Sequence, residues 1–406
     1  MNRNRTKRGW SRLMLAVVVV TPVLVAGGCQ SQSNHEQNVN AANDRWLQTR
    51  SSMMLELAQQ QFDTGDLDNA SRTVRDAMAM DPSNARLQVL AGRISLERGQ
   101  LERAYHLFQA AIALDDTASE AHYYKGLVLQ RWQRHDRAHE SYKRAYEITP
   151  DDAGYLMAAA EMLVEIDRLE EGIAMLEGQL NYFDQNAAIR AALAHLHAMN
   201  GRPDLAVTYF RRASLLDPDN DKLREDLALT QIASGQMEDA IRTLESLLKK
   251  EEFSGRRGLR LALARAYEEI GQDAQAREQY LRLARGERAE GRDWIRLAEI
   301  SWGEGDTNGT LYAANRAIEL SPGRHEGYLF AGLAWQQRDR LDDALKMFDR
   351  AADLAPSEAS PLILRGIALQ RAGQRAAAAE AYEKALERQP DDHRAQRLLS
   401  QVAGAQ

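Results

Sequence analysis

Residues 332–356 read GLAWQQRDRLDDALKMFDRAADLAP. Two segments with apolar residues at helical spacing are separated by a polar turn, and Pro356 ends the second segment. Gly332 and Ala344 are small where two helices would approach each other, and Phe348 is large where a side chain would fill the space beside them. The stretch therefore predicts a close-packed helical hairpin.

The same pattern recurs with a period of 34 residues from Ser51 onward, once a two-residue insertion at 255–256 is allowed for. Six prolines keep this period: Pro82, Pro150, Pro218, Pro322, Pro356 and Pro390. The eighth position is glycine or alanine in all ten copies: Ala58, Gly92, Gly126, Ala160, Ala194, Ala228, Ala264, Ala298, Gly332 and Gly366. Because helices of this length are marginally stable alone, neighbouring hairpins must bury each other's apolar faces.

The periodic pattern resembles the tetratricopeptide repeat family from Ser51 to Asp392, with departures in the fourth repeat. The resemblance implies an all-α fold, a right-handed α-solenoid (superhelix) of about ten 34-residue helix-turn-helix repeats that bind proteins or peptides. A capping helix and tail are predicted at 393–406, and an extended first helix at 44–62 in which Trp46 and Leu47 cover the exposed end.

The insertion lies in a charged stretch, residues 249–258, that contains two glycines. It either acts as a hinge between repeats one to six (44–254) and repeats seven to ten (257–392), or is a longer loop that disturbs nothing. The sequence leaves both alternatives open.

The N-terminus has the pattern of an export signal. Five basic residues and no acid precede an apolar run, 13–25, that is too short to span a bilayer. Small residues follow it, and Cys29 comes directly after them. This resembles a bacterial lipoprotein signal, which implies a signal peptide at 1–28 and lipid attachment at Cys29. A tether rich in Gln, Ser and Asn is predicted to follow, so that 29–43 form the lipidated cysteine and a flexible linker.

The residues after the cysteine bear on the cellular location of the lipoprotein. By resemblance to Gram-negative lipoproteins, Gln30 and Ser31 in place of aspartate favour the outer membrane, with the chain facing the periplasm. The alternative is an uncleaved signal anchor with an incidental cysteine.

Composition excludes several classes of protein. Of 406 residues, 44 % are hydrophobic and 27 % charged, which is typical of an ordinary globular chain and not of a disordered or multi-span membrane protein. A single cysteine excludes a disulfide scaffold and a multi-thiolate metal site. The formal net charge is −7, and without the basic N-terminal segment it is −12, which argues against nucleic acid as a partner.

A search for catalytic or metal-binding motifs yields no candidate. His135 and His139 are four residues apart without the metalloprotease glutamate, and His195 and His197 are two apart on one predicted helix, hence on opposite sides. The glycine-rich run 303–309 falls on the turn within repeat eight. The chain is therefore predicted to be no enzyme and to need no metal or cofactor.

The remaining candidate is a partner-binding groove. In the family the first helix of each hairpin lines the inner face, mainly through positions two, five, nine, twelve and thirteen, and in this chain positions five and nine lack the lysine and asparagine of carboxylate-clamp members. The alternative is that position-five residues pack between hairpins. The predicted groove residues are apolar or aromatic: Tyr123, Leu127, Met157, Leu229, Ile232, Ile295, Trp302, Leu329, Leu333, Ile363 and Ile367.

The combined features predict a non-catalytic outer-membrane lipoprotein that scaffolds an envelope assembly. Similar lipid-anchored solenoids serve pilus and secretin assembly, polysaccharide export and outer-membrane protein biogenesis. The alternative is an adaptor that recruits or regulates a cell-wall or polysaccharide-modifying enzyme. Expected partners are envelope proteins or peptides and, through the N-terminal lipid, the membrane; the oligomeric state stays open.

Overall fold

The computed structural model describes residues 28–404, with side chains from residue 37 onward. The predicted signal peptide and the side chain of Cys29 lie outside these described residues. Within residues 28–404 the chain forms 22 helices and no strand, so the predicted all-α solenoid class is confirmed. The chain divides into two compact units, Met1–Met162 and Leu163–Gln406, which are described separately.

The first unit contains repeats one to three and the start of repeat four. Its helices are α1 Gly28–Asp63, α2 Leu67–Met80, α3 Ala85–Glu97, α4 Leu101–Leu114, α5 Ser119–Arg131, α6 His135–Ile148 and α7 Ala153–Glu165, whose last residues pass the division between the units.

The second unit contains the other repeats. Its helices are α8 Leu169–Glu177, α9 Ala187–Met199, α10 Pro203–Leu216, α11 Asp221–Ala233, α12 Met237–Leu248, α13 Glu251–Ser254, α14 Arg257–Glu269, α15 Asp273–Ala284, α16 Gly291–Gly303, α17 Thr307–Leu320, α18 His325–Gln337, α19 Leu341–Leu354, α20 Ser360–Arg371, α21 Arg375–Arg388 and α22 His393–Ala403.

The turn inside each hairpin has one conformation throughout. The fifteenth residue of all ten repeats has a positive φ, between 57° and 80°. Seven of these residues are glycine, which enters the left-handed region without strain, and three are not: Gln133, Asp167 and Asp339. The turn signals in the sequence therefore correspond to a repeated left-handed residue that reverses the chain.

Within a hairpin, the small residue at the eighth position of the repeat faces the large residue at the twenty-fourth position. A Cβ added to Gly332 would lie less than 3.0 Å from the ring of Phe348, and one added to Gly92 less than 3.0 Å from the ring of Phe108. Both phenylalanines are fully buried. The missing side chain on the first helix therefore makes room for the ring on the second.

Repeat four departs from the pattern, as its sequence predicts. Helix α8 has only nine residues and is followed by turns up to Gln185. The helix ends at Glu177 with Gly178 as its C-cap, directly before Gln179, which occupies the twenty-seventh position of its repeat, where seven of the ten repeats have alanine. Phe183 is buried in the turn region, and its backbone carbonyl accepts a hydrogen bond from Arg190 at 3.0 Å.

The insertion at 255–256 does not interrupt the packing of the second unit. One hydrophobic cluster runs from Ala228 in repeat six to Ala334 in repeat nine, and Phe253 of α13 packs against it. Arg256 reaches back to Glu225 of α11, with two nitrogen–oxygen distances of 2.6 and 3.0 Å. This continuity favours the longer loop over the hinge, because the stacking surface and an ion pair span the insertion.

The predicted tether at 29–43 differs in the structure, where α1 continues through it. That stretch contains neither proline nor glycine, so nothing in its sequence breaks a helix once one has formed. Of the two residues predicted to cover the end of the first repeat, Trp46 is 55 % exposed and Leu47 is half-buried. Among the described residues, no helix combines the length and the apolarity required to cross a bilayer.

Candidate functional site

The second unit contains a groove of about 590 Å³ along the first helices of repeats seven to ten. Its apolar lining comes from positions five, six and nine of these repeats, and neighbouring hairpins supply successive side chains. These apolar residues are Leu261, Ile295, Leu329, Phe330, Leu333 and Leu364.

Charged side chains complete the lining of the groove, and most of them are paired. The two Nη atoms of Arg257 lie 2.8 and 2.9 Å from the carboxylate oxygens of Asp293, and its Nε lies 3.1 Å from Oε1 of Glu290. Arg296 holds Glu299 at 2.6 Å. The hydrogen bond to Asp293 raises the pKa of Arg257, and the hydrogen bond to Glu299 raises the pKa of Arg296.

Glu326 is paired in the same way with Arg324. Burial opposes ionisation of Glu326, but hydrogen bonds from its own backbone N–H and from Arg324 outweigh burial and lower the pKa of the carboxyl. At neutral pH the groove therefore presents ionised side chains around an apolar floor. Such a surface can bind a polypeptide segment by burying an apolar side chain and pairing polar groups at the rim.

Three of the predicted groove residues lie in this groove, and they differ in exposure. Leu329 and Leu333 are half-buried, whereas Ile295 is 9 % exposed and belongs to the hydrophobic cluster of the second unit. Ile295 therefore forms the floor and offers little surface to a partner. Ile363, which the sequence also assigns to the partner-binding groove, is 2 % exposed and packs with Leu362 and Ala395.

The other predicted residues of the second unit lie outside this groove. Ile367 packs against the clusters of the last repeat, and Ile232 packs against the cluster that spans the insertion. Trp302 is half-buried and Leu229 is 44 % exposed. Sequence spacing places these side chains on first helices, but packing against the next hairpin decides which of them stay accessible.

In the first unit, one of the predicted residues, Tyr123, belongs to an aromatic cluster. The ring of Tyr123 lies 5.0 Å from that of Tyr155 and 5.3 Å from those of Tyr124 and Tyr142. Leu127 packs against the core of the same unit, and Met157 is half-buried. Tyr123 therefore joins repeat three to the start of repeat four, which is the kind of packing that the alternative for position five describes.

A second groove, of about 620 Å³, lies in the first unit between repeats one and two. Arg93 lines it, and its guanidinium lies over the rings of Phe62 and Tyr124 at 4.7 and 5.3 Å. Val89 and Leu55 are buried at its floor. Because Arg93 is held by two rings, its planar face is already occupied.

The histidine pairs do not form a metal site. His195 has a 57 % exposed side chain near Asp226, while the side chain of His197 is 2 % exposed and bonds Glu177 at 3.2 Å. His139 bonds the backbone carbonyl of Ala159 at 2.9 Å. Between residues 37 and 404, no group of three or more potential protein ligands could hold a metal ion.

Sequence reasoning missed Phe330, Leu364 and Arg296, which all occupy position six of their repeats. Position six follows position five on the first helix and reaches the same groove in repeats eight to ten. Arg265 and Glu299 also line the groove, and both occupy position nine, which the family pattern places on the inner face. Including position six among the inner-face positions would have identified Phe330, Leu364 and Arg296.

Comparison with known proteins agrees with this geometry. Three tetratricopeptide repeat families match the chain: one at residues 61–127 and 197–256, one at 119–152 and one at 363–406. Together with the ten hairpins and their repeated turns, these matches show that the chain belongs to the tetratricopeptide repeat proteins.

Curated relatives match about half of the chain. The DnaJ homolog subfamily C member 7 homolog of Schizosaccharomyces pombe is 25 % identical over 205 residues, which cover 47 % of this chain and 43 % of that protein. Superkiller complex protein 3 of Mus musculus is 24 % identical over 237 residues, which cover 48 % of this chain and 15 % of that protein. The chain thus spans less than half the length of these relatives.

Solved structures are similar at low identity. A tetratricopeptide repeat protein from Parabacteroides merdae matches with a TM-score of 0.39 at 14 % identity, covering 70 % of this chain and 99 % of that one. A thermophilic tetratricopeptide repeat protein from Thermus thermophilus matches with a TM-score of 0.36 at 21 % identity, covering 45 % of this chain and 99 % of that one.

Proposed function

We propose that this chain is a non-catalytic scaffold that binds protein partners in the groove of repeats seven to ten. The observation that carries the proposal is the groove itself, in which half-buried Leu329 and Leu333 stand beside a rim of ionised side chains. Accessible aliphatic side chains surrounded by charges are typical of the centre and rim of protein interfaces.

The proposal extends to the place where the scaffold works. The apolar run and the single Cys29 support lipid attachment and an outer-membrane position facing the periplasm. Anchoring confines the repeats to the membrane surface and raises the effective concentration of a captured partner. Pilus or secretin assembly, polysaccharide export and outer-membrane protein biogenesis are the envelope processes that such a scaffold would serve.

Site-specific photocrosslinking in the host tests the binding surface. A photoreactive residue at Leu333 is expected to form a discrete adduct, and the adduct is expected to disappear when Leu329→Glu is added. The matched control is Tyr312, which is 61 % exposed on the second helix of repeat eight and does not line the groove. Equal adducts at both positions, or adducts at Tyr312 alone, would refute this binding surface.

Labelling with radioactive palmitate tests the anchor. Cys29→Ala is expected to abolish the label and to remove the protein from the outer-membrane fraction, while Ser31→Ala changes neither. Retention of label and location in the Cys29→Ala variant would refute lipid anchoring without bearing on the groove.

A further inference from the structure

Every carboxylate that lines the groove of repeats seven to ten is held by an arginine of the same lining. Arg257 pairs with Asp293 and Glu290, and Arg296 pairs with Glu299. Glu326 pairs with Arg324 and is also 3.5 Å from His325. Each acid of the groove thus has an arginine partner, but Arg257 is shared by two of them, so these three arginines leave the four carboxylates with a net charge of −1.

Two arginines of the same lining have no such partner. Arg265 is at position nine of repeat seven and Arg292 at position two of repeat eight, and both are exposed. Neither forms an ion pair or a hydrogen bond with any residue in the part of the chain that the structure describes. The lining therefore carries five arginines against four carboxylates, a net charge of +1, and presents two unpaired guanidinium groups in a chain whose net charge is −7.

The floor between the charges is apolar and mainly aliphatic, and its aromatic members are half-buried Phe330 and buried Tyr280. Leu261, Leu329 and Leu333 are half-buried there, and each exposes part of an apolar side chain to the groove. A nucleic acid strand would require a row of accessible aromatic rings for its bases, and Phe330 is the one partly accessible ring of this lining. A peptide requires an apolar recess for one anchoring side chain. Exposed guanidinium groups bind carboxylates through two parallel hydrogen bonds. This geometry selects the orientation of the bound carboxylate as well as its negative charge.

We propose that the groove binds an acidic polypeptide segment that places an apolar side chain against Leu329 and Leu333 and its carboxylates against Arg265 and Arg292. This inference rests on the proposed function and specifies the chemistry of the partner. Charge complementarity selects the segment, and the aliphatic floor supplies the anchor.

Selection from a phage-displayed library of random twelve-residue peptides on the detergent-solubilised full chain tests the inference. Enriched peptides are expected to carry Asp or Glu on both sides of an apolar residue. The strongest peptide, synthesised with a fluorescent label, is then measured by polarisation on the wild type, on Arg265→Glu/Arg292→Glu and on Arg212→Glu/Arg350→Glu. The last variant makes the same charge change on exposed second-helix arginines that do not line the groove.

Binding is expected to weaken at least about tenfold in Arg265→Glu/Arg292→Glu and to stay within about twofold in Arg212→Glu/Arg350→Glu. A copy of the peptide with lysine in place of its acids should bind the first variant better than the wild type. Because charge reversal at exposed positions leaves the core untouched, unchanged helicity in both variants is the control for folding.

Other outcomes separate the inference from the proposed function. Enriched peptides that are neutral or basic, or acidic peptides indifferent to Arg265→Glu/Arg292→Glu, would overturn the inference and leave peptide binding intact. Competition of the peptide by a single-stranded oligonucleotide at equal concentration would overturn it in favour of nucleic acid. Failure of any peptide to be enriched on the wild type would count against both proposals.

Discussion

Arg257 and Asp293 form a two-pronged ion pair between repeats seven and eight, in which two guanidinium nitrogens lie 2.8 and 2.9 Å from the two carboxylate oxygens. The Asp293 side chain is 2 % exposed, and it also accepts a hydrogen bond from the backbone N–H of Glu290 at 2.9 Å. The pair thus joins the start of α14 to the start of α16 at the edge of the candidate groove.

Removal of Arg257 is expected to be costly, because it leaves a buried carboxylate without its cation. Arg257→Met should lower the free energy of unfolding by about 3 kcal/mol. Adding Asp293→Asn should recover part of that loss, because the buried charge disappears with its partner. Arg296→Met is the matched control: its pair with Glu299 is about half exposed, and the loss should stay below about 1 kcal/mol. Urea denaturation of the four proteins measures the effect, and equal losses for the two single arginine variants would contradict it.

The contact between the small residue at the eighth position and the large residue at the twenty-fourth position predicts a second effect. Gly332→Ala places a Cβ less than 3.0 Å from the ring of Phe348 and should destabilise by about 1–3 kcal/mol. Gly323→Ala is the control, because nothing lies within 4 Å of its added Cβ, and it should change stability by less than about 0.5 kcal/mol. Adding Phe348→Leu to Gly332→Ala should restore part of the loss. Thermal unfolding followed by circular dichroism checks the series, and a neutral Gly332→Ala would show that the ring can move aside.

The left-handed turn residue predicts a stabilising change. Gln133 has a φ of 57° where seven other repeats have glycine, so Gln133→Gly removes backbone strain and should stabilise by up to about 1 kcal/mol. The reverse exchange, Gly99→Gln at a φ of 70°, should destabilise by a similar amount, because the left-handed backbone is strained for glutamine and an added Cβ at Gly99 meets nothing within 4 Å. Denaturation midpoints for the two variants should move in opposite directions. Movement in the same direction would mean that side-chain effects outweigh the backbone conformation.

The salt bridge at the insertion predicts a pH dependence. Lys250 lies 2.6 and 2.7 Å from the carboxylate oxygens of Asp221, and its hydrogen bond lowers the pKa of that carboxyl. A carboxyl whose folded pKa is lowered stabilises the fold above its unfolded pKa of about 3.9, and the contribution disappears as pH falls through the folded value.

Asp221→Asn should therefore be less stable than the wild type at pH 7, and the difference should shrink below about pH 4. Asp219→Asn provides the control, because Asp219 is exposed and forms no ion pair with a described residue. Urea midpoints at pH 7, 5 and 3 measure both comparisons. A wild-type advantage over Asp221→Asn that persists unchanged at pH 3 would exclude the Lys250 pair as its cause.

The period of the sequence determined the local structure because each signal acts within one hairpin. The glycine at 332 and the aromatic residue at 348 are 16 residues apart, and their contact needs only the two helices and the turn between them. The glycines at the fifteenth position fixed the turns in the same way. The departure of repeat four could also be predicted, because Gly172, Gln179 and Asp184 replace the residues usual at its helix-packing and proline positions. The helical conformation of residues 29–43 could not be predicted, because a polar stretch without proline or glycine is compatible with both a linker and a helix.

The tertiary structure decided which first-helix side chains are accessible and which charges are paired. Ile295, Leu329 and Ile363 share position five, yet only Leu329 remains half-buried in the groove, because the next hairpin covers the others to different degrees. The pairing of Arg257 with Asp293 and the isolation of Arg265 likewise depend on distances between repeats, which no spacing along the chain encodes. Sequence alone thus determined the repeat and its turns, whereas packing between successive hairpins determined the surface left for a partner.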